Sequence, residues 1–329
     1  MKDVTLIPLR QVPMGRPTFP ERQAAGLMLL SATLCVVAMF WPTILSMVDV
    51  WLSSRTFAHG FLVLPVVGYL VWSSRRRLVG LTPHPSVWGL VALLLSGSGW
   101  IAGALSGLVW LQQAAVVAVL PGLVWTIYGT EIVRTLSWPL GFLIFLLPVG
   151  TSLEPWLQDV TAWLILRGLD LSGIAYMYRD YHIIVGPANW EVAPDCAGLR
   201  YLLPGLSLGY AFAALIYRQP ARRIVFLVFC AVALMVANGI RAYGVIVGNH
   251  LGIAAGADHR IFSYTIYGLT MPCLFWLGLK WKQRVAPDAN LHPGAIHRLD
   301  TRKAVVMSFC GVGLLLLARF ALWFFPASS

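Results

Sequence analysis

Residues 224–248 read IVFLVFCAVALMVANGIRAYGVIVG, an apolar run of 25 residues that contains a single charge, Arg241. A helix that crosses a bilayer needs about 20 apolar residues, so this run is long enough to span one. Similar runs recur along the chain, which is 58% hydrophobic and only 11% charged. Soluble domains carry about 25% charged residues. The sequence therefore predicts an all-α fold, a polytopic transmembrane helix bundle.

Nine apolar segments are candidate spans: residues 25–48, 58–74, 86–108, 113–129, 131–149, 198–217, 224–248, 260–281 and 303–325. If the N-terminus is cytoplasmic, the inner loops collect 17 of the 24 Lys and Arg residues. Positive residues concentrate on the cytoplasmic side of membrane proteins. We therefore expect about nine spans, with the N-terminus inside and the C-terminus outside.

This topology divides the chain into four parts. We expect a cytoplasmic tail at residues 1–24, a membrane domain at 25–281, a cytoplasmic loop at 282–302, and a last span with an outer C-terminus at 303–329. The net charge of +11 is dispersed between apolar runs instead of forming one basic patch, so nucleic acid is not an expected partner.

The longest outer segment, about residues 150–197, contains its own structural signals. Pro155 suits the first turn of a helix. Apolar residues then follow at helical spacing and predict a small amphipathic helix in the headgroup region: Leu153, Trp156, Val160, Trp163 and Leu164. Two β-prone runs, Tyr181–Val185 and Asn189–Val192, flank Gly186-Pro187-Ala188 and predict a hairpin-like segment before Cys196.

Three polar residues stand at the ends of apolar segments that the topology places on one face: Cys196, Arg241 and His259. Ionisable groups at membrane depth are costly, which makes each of them a candidate functional residue. A thiol, a fixed cation and an imidazole together suit cysteine-based acyl transfer.

Cys196 differs from the other cysteines in its setting. It opens a helix, whose N-terminus favours a thiolate, and Arg200 follows one turn later. The others lie inside apolar runs, where cysteine behaves as a small hydrophobe: Cys35, Cys230, Cys273 and Cys310. There is no CxxC pair and no Cys/His spacing typical of zinc sites, so we expect neither a metal nor a cofactor.

The cation and the imidazole have competing interpretations. Arg241 stays protonated, so its chemical role would be to stabilise an oxyanion, with Asn238 one turn earlier holding the guanidinium. It also suits an interfacial arginine that binds lipid phosphate. His259 competes with three histidines that the topology also places near the outer face, which are His59, His182 and His250.

Several stretches of the chain resemble the exosortases of the exosortase/archaeosortase family of polytopic cysteine transpeptidases. The matching motifs are CAGLRYL at 196–202, NGIR at 238–241 and DHRIFSYTIYG at 258–268, supported by TFAHGFLVLPV at 56–66 and PANWEVAPDCAG at 187–198. The resemblance implies that Cys196 is the nucleophile, Arg241 the transition-state stabiliser and His259 the general acid/base, with Arg200 and Asn238 in support. Residues 25–281 would then be the catalytic domain.

The resemblance also implies the substrate and the compartment. Substrates would be membrane-anchored proteins with a C-terminal tail made of a Pro-Glu-Pro-type motif, a hydrophobic helix and a basic cluster. Cleavage would pass through a thioacyl enzyme to an unidentified acceptor nucleophile, beside the lipids of a bacterial inner membrane, with the site facing the periplasm. Ala197 stands where the family usually has serine, which bears on substrate preference.

Two other classes of function compete with the enzyme. A transporter or lipid-linked precursor handling protein of exopolysaccharide export would use Arg241 to bind an anionic head group. Such a protein needs polar residues at the midplane or inverted repeats, and neither is clear in this sequence. A membrane scaffold would be insensitive to Cys196→Ala beyond its effect on stability.

Overall fold

The structure, a computed structural model, describes residues 19–252 and 259–282 and five single positions from 307 to 315. Some side chains within these ranges lie outside the description, namely those of residues 19–22, Asp195, 259–261, Ser263 and Tyr264. The helices are α1 (Phe19–Met39), α2 (Trp41–Ser53), α3 (Gly60–Ser73), α4 (Val87–Leu105), α5 (Val109–Tyr128), α6 (Thr130–Thr135), α7 (Ser137–Gly141), α8 (Glu154–Ser172), α9 (Leu199–Ile216), α10 (Pro220–His250) and α11 (His259–Lys280). Short 3-10 helices cover Arg75–Leu78, Phe142–Leu146, Thr151–Leu153 and Pro194–Cys196.

The helical membrane architecture predicted from composition is confirmed, but nine spans are not. Among the described residues, α4, α5, α9 and α10 are long and apolar enough to cross a membrane, and two bent pairs of helices raise the number to six. α3 is apolar but has only 14 residues. The predicted last span, 303–325, lies outside the described residues except for single positions.

Two predicted spans are not straight helices. Segment 25–48 is divided between α1 and α2, which meet at an angle of 80°. Pro42 lies in the first turn of α2, where a proline cannot continue the preceding helix because it lacks an N–H and its ring clashes with the earlier turn. Segment 131–149 is likewise wrong as one helix. It consists of α6, α7 and the 3-10 helix Phe142–Leu146, which joins α8 at 78°.

The helix surfaces are apolar outside as well as inside. Large exposed side chains include Leu27, Trp88 and Leu95, each about two-thirds exposed (67%, 66% and 67%). Such a continuous apolar exterior is expected where the neighbouring molecules are lipids. Inside, α10 is in contact with α8, α9 and α11, so this longest helix forms the centre of the C-terminal half.

The outer segment folds as a helix and a three-stranded sheet. Strands β1 (Met177–Arg179), β2 (His182–Val185) and β3 (Ala188–Glu191) form an antiparallel sheet in the order β1-β2-β3. The predicted hairpin is confirmed, since Val185 pairs with Ala188 across Gly186-Pro187. β1 was not predicted, and its MYR sequence is too short to show an alternating pattern.

α8 packs against the rest of the protein through the face opposite its tryptophans. Trp156 and Trp163 are more than half exposed, and the headgroup location of this helix stays a prediction. The opposite face is buried against the sheet and α10 through residues that include Thr161, Ile165 and Leu169. α8 therefore packs against both the sheet and α10, and the chain continues from the last strand of the sheet to Cys196.

Close packing of α8 on α10 depends on glycine. At Gly239 an added Cβ would lie 2.6 Å from the Cβ of Leu164, which is too close for any real contact. The Leu164 Cβ is fixed to its own backbone, so α8 itself must shift to accept the change. Gly68 in α3 has no neighbour within 4 Å of the same position.

We expect Gly239→Ala to lower the free energy of unfolding by about 1–3 kcal/mol through overpacking. Gly68→Ala is the matched control and should leave stability unchanged or raise it by up to about 1 kcal/mol, because alanine favours helix. Thermal unfolding of both purified variants in the same detergent measures the difference. Equal behaviour of the two variants would contradict the close α8–α10 contact.

Candidate functional site

Cys196 lies in a tight turn between the sheet and α9. It ends the 3-10 helix Pro194–Cys196, where its N–H donates to the Ala193 carbonyl at 2.8 Å. Gly198 follows with φ of +93°, in the left-handed region that favours glycine. A Cβ at Gly198 would also lie 2.7 Å from the Asn238 amide. The turn therefore needs glycine both for its conformation and for its close approach to α10.

The Asn238 side chain is the centre of the polar network around this turn. It is 2% exposed, and its Nδ2 donates to the Cys196 carbonyl and to Thr161 Oγ1, both at 3.0 Å. Its Oδ1 accepts from the Tyr267 hydroxyl at 3.0 Å and from Arg241 Nε at 3.3 Å. An asparagine amide has two donors and two acceptor positions, so this one is fully satisfied.

Arg241 lies beside the same backbone. It is 7% exposed, and its Nη2 donates to the Cys196 carbonyl at 3.5 Å, a long hydrogen bond. Arg241 lies about one turn after Asn238 in α10. Because its Nε is hydrogen-bonded to Asn238 Oδ1, the orientation of the guanidinium is fixed. The structure thus brings Asn238 and Arg241 together at the carbonyl of Cys196.

Two stacked tyrosines form the wall next to the cations. The rings of Tyr201 and Tyr267 are 3.8 Å apart and nearly parallel. The guanidinium carbon of Arg200 lies 5.1 Å from the Tyr201 ring and that of Arg241 lies 6.0 Å from it. Cation–π attraction at such distances partly offsets the cost of burying these charges.

A cleft of about 300 Å³ opens beside Cys196. Its polar lining residues are Cys196, Arg200, Tyr201, Arg241 and Glu191 of β3, and its apolar walls include Trp190 and Ile165. The cleft has the size and the mixed lining of a small-molecule or peptide site. It brings the predicted nucleophile and both predicted arginines to one surface.

The strand that leads to this cleft is tied to α8. Gln158 Nε2 donates to the Val192 carbonyl at 2.9 Å, and the Tyr181 hydroxyl donates to the Asp159 carboxylate at 2.6 Å. The hydrogen bond to Asp159 raises the pKa of Tyr181, so the phenol stays protonated and remains a donor across neutral pH. These ties fix the exit of β3, and with it the position of Glu191.

The candidate histidines are placed less directly. α11 begins at His259, but the side chain of His259 lies outside the described residues. His59, His182 and His250 are absent from the lining of the cysteine cleft. His59 contacts the Thr56 carbonyl through Nδ1, and His250 is exposed at the end of α10.

The other cysteines have apolar or exposed surroundings. Cys230 is fully buried in a cluster with Tyr217 and Phe226, whereas Cys35, Cys273 and Cys310 are exposed on helices. Within the part of the chain that the structure describes, no three His, Cys, Asp or Glu side chains are grouped as metal ligands.

Ala197 occupies an apolar position. It is 2% exposed and packs in a cluster with Leu157 and Leu199, while its carbonyl accepts a bond from Thr161 at 3.4 Å. A serine hydroxyl here would need a partner among these apolar neighbours.

Comparison with known families decides the identity. Residues 51–276, about two thirds of the chain, match the profile of the transmembrane exosortases. The chain belongs to the transmembrane exosortase family. Searches of curated proteins and of solved structures gave no match. The family assignment implies a multi-pass membrane protein that processes sorting signals of protein substrates, in a family that is generally one of cysteine-type transpeptidases.

The exosortase match encloses all five predicted site residues, from Cys196 to His259. Four further residues of the site were not singled out from the sequence, namely Thr161, Glu191, Tyr201 and Tyr267. Three of them lie within motifs that were quoted: Glu191 in PANWEVAPDCAG, Tyr201 in CAGLRYL and Tyr267 in DHRIFSYTIYG. No sequence feature marked Thr161 as a site residue, because a threonine on an amphipathic helix is common and its hydrogen-bond partner is known only from the structure.

We expect Asn238→Ala to lower the free energy of unfolding by about 3 kcal/mol, because it leaves buried donors and acceptors on neighbouring elements without partners. Asn249→Ala on the same helix is the control. Asn249 is exposed, so its loss should change stability by no more than about 0.5 kcal/mol. Unfolding in detergent measures both, and equal losses would contradict the network.

Proposed function

We propose that this exosortase is a cysteine endopeptidase and transpeptidase that cleaves C-terminal sorting signals of exported proteins through a thioacyl-enzyme intermediate. One observation carries the proposal. Cys196 and Arg241 line the same cleft, and Arg241 and Asn238 both donate to the Cys196 carbonyl. A nucleophile held by its backbone beside a fixed cation suits acyl transfer.

In the proposed reaction the Cys196 thiolate attacks the carbonyl carbon of the scissile peptide bond. The carbonyl π electrons move to oxygen, and the resulting oxyanion accepts hydrogen bonds from Arg241. A guanidinium has five N–H donors, and the long bond from Nη2 to the Cys196 carbonyl is easily exchanged for a stronger one to an anion. Arg241 would thus bind the transition state better than the ground state.

Collapse of the tetrahedral intermediate breaks the C–N bond. His259 supplies the proton that the leaving amine needs, and the acyl group stays on Cys196 as a thioester. His259 then accepts a proton from the acceptor nucleophile, or from water, which attacks the thioester and expels the Cys196 thiolate, so the enzyme returns to its starting state with His259 protonated. Arg200 and Asn238 have supporting roles, in which Asn238 fixes the turn and Arg200 adds positive charge to the cleft.

The proposed substrate is a membrane-anchored protein whose tail has a Pro-Glu-Pro-type motif, a hydrophobic helix and a basic cluster. Its helix would lie against the apolar exterior of the bundle, with the basic end on the cytoplasmic side of a bacterial inner membrane. The motif would then reach the cysteine cleft on the periplasmic side. Membrane anchoring supplies part of the positioning that a bimolecular reaction lacks.

Cleavage of such a tail tests the nucleophile. Co-expression with a tagged substrate should give a shortened product with the wild type and with Cys230→Ala, and none with Cys196→Ala. Cys230 is the matched control because it is buried in an apolar cluster away from the cleft. The gel mobility of the substrate is the measurement, with equal enzyme abundance checked by immunoblot. Processing that survives Cys196→Ala would end the assignment.

The general acid/base is tested by two histidine variants. His259→Ala should slow processing by about 10²–10⁴-fold, because the leaving amine then departs without a positioned proton donor. His250→Ala, a histidine exposed at the end of α10, should process at the wild-type rate. Rates come from a pulse-chase of the substrate. A strong loss in His250→Ala with none in His259→Ala would reverse the assignment.

A further inference from the structure

A second cleft, of about 390 Å³, lies next to the cysteine cleft and shares Arg200 and Tyr201 with it. We propose that this second cleft binds one anionic phospholipid, with its phosphate at the arginines and an acyl chain along the apolar wall. The lining residues are Arg55, Arg200, Tyr201, Pro204, Gly205, Leu208, Leu234, Tyr267 and Met271. This site goes beyond the proposed function, and its occupancy can be measured without turnover.

The charged residues that line this cleft are cationic. Arg55 and Arg200 are its only charged lining residues, and no carboxylate takes part in the lining. Within the described residues the salt bridges are Arg167–Asp170 and Arg179–Asp180, so neither arginine of the cleft is paired with an acid there. Two cations in a recess without an acidic lining residue favour a ligand with a negative group.

Arg200 has an unmet hydrogen-bonding group. Its Nε is buried and has no hydrogen-bond partner among the described residues, and its Nη2 makes only a 3.5 Å contact with the Tyr201 hydroxyl. A buried charged donor without a partner is costly. Arginine presents a fork of donors that matches phosphate oxygens, so the guanidinium of Arg200, with only weak hydrogen bonding of its own, suits a lipid phosphate.

Apart from Tyr201 and Tyr267, the rest of the lining is apolar, and the cleft is open to the outside of the bundle. Leu234 and Met271 come from α10 and α11, and Pro204 and Leu208 come from α9. Leu208 is 52% exposed, so the apolar wall continues onto the lipid-facing surface. A free anion would make no contact with this apolar wall, and a neutral lipid would bring no net negative charge to the arginines. A phospholipid with net negative charge interacts with both.

The experiment is a lipid titration of the purified full-length protein in detergent, followed by native mass spectrometry. The probes are phosphatidylglycerol and phosphatidylcholine with identical acyl chains. The wild type should bind one phosphatidylglycerol more tightly than any phosphatidylcholine. Arg55→Gln should weaken that binding about fivefold, whereas Arg179→Gln, an exposed arginine of β1 outside the cleft, should not.

A second pair of variants tests the apolar wall without changing charge. Leu208→Trp fills the cleft and should abolish the preference for phosphatidylglycerol. Leu215→Trp, two turns further along α9 and also exposed, should keep it. Equal binding of the two lipids, or equal effects of Arg55→Gln and Arg179→Gln, would overturn the proposal. Competition by inorganic phosphate or by a soluble acidic peptide as strong as that by phosphatidylglycerol would also overturn it, because the ligand would then need no acyl chain.

Discussion

The hydrogen bonds of the Asn238 amide are the interaction on which the rest of the candidate site depends. They join α10 to α8 through Thr161, to the Cys196 turn through its carbonyl, and to α11 through Tyr267. In a water-poor bundle each bond of this kind that is not made costs roughly 1–3 kcal/mol. The network is therefore stable only when all four partners are present. One side chain thus sets the relative positions of elements that are far apart in sequence.

Charge is the second constraint, because arginine stays protonated even where it is buried. Arg200 and Arg241 both lie near the face of Tyr201, and Glu191 lines the same cleft. Aromatic faces and carbonyl oxygens reduce the cost of these cations without neutralising them. The cleft consequently keeps a positive character, which favours a reaction in which a carbonyl oxygen becomes negative.

Hydropathy predicted the helices that run straight through the bundle and failed where the chain bends. Segment 224–248 lies within α10, and 198–217 matches α9, because apolar length alone specifies such helices. The bends at Pro42 and through 131–149 depend on local backbone geometry that a hydropathy average does not contain. For the site, the motifs marked Cys196, Asn238 and Arg241. Their shared contact at the Cys196 carbonyl and the part played by Thr161 required three-dimensional packing of α8 on α10.

Arg200 and Tyr201 form a common wall between two clefts of different chemistry. The lining of the cleft on the cysteine side includes Cys196, Arg241 and Glu191, whereas the other cleft is mainly apolar beyond its arginines and tyrosines. A membrane-anchored substrate has the same division, with a polar segment next to an apolar anchor. In the proposed reaction, a nucleophile at this border would let the anchor stay in lipid while the scissile bond enters the cysteine cleft. Under that proposal the bilayer would itself limit the substrate to two dimensions, which supplies part of the positioning that catalysis needs.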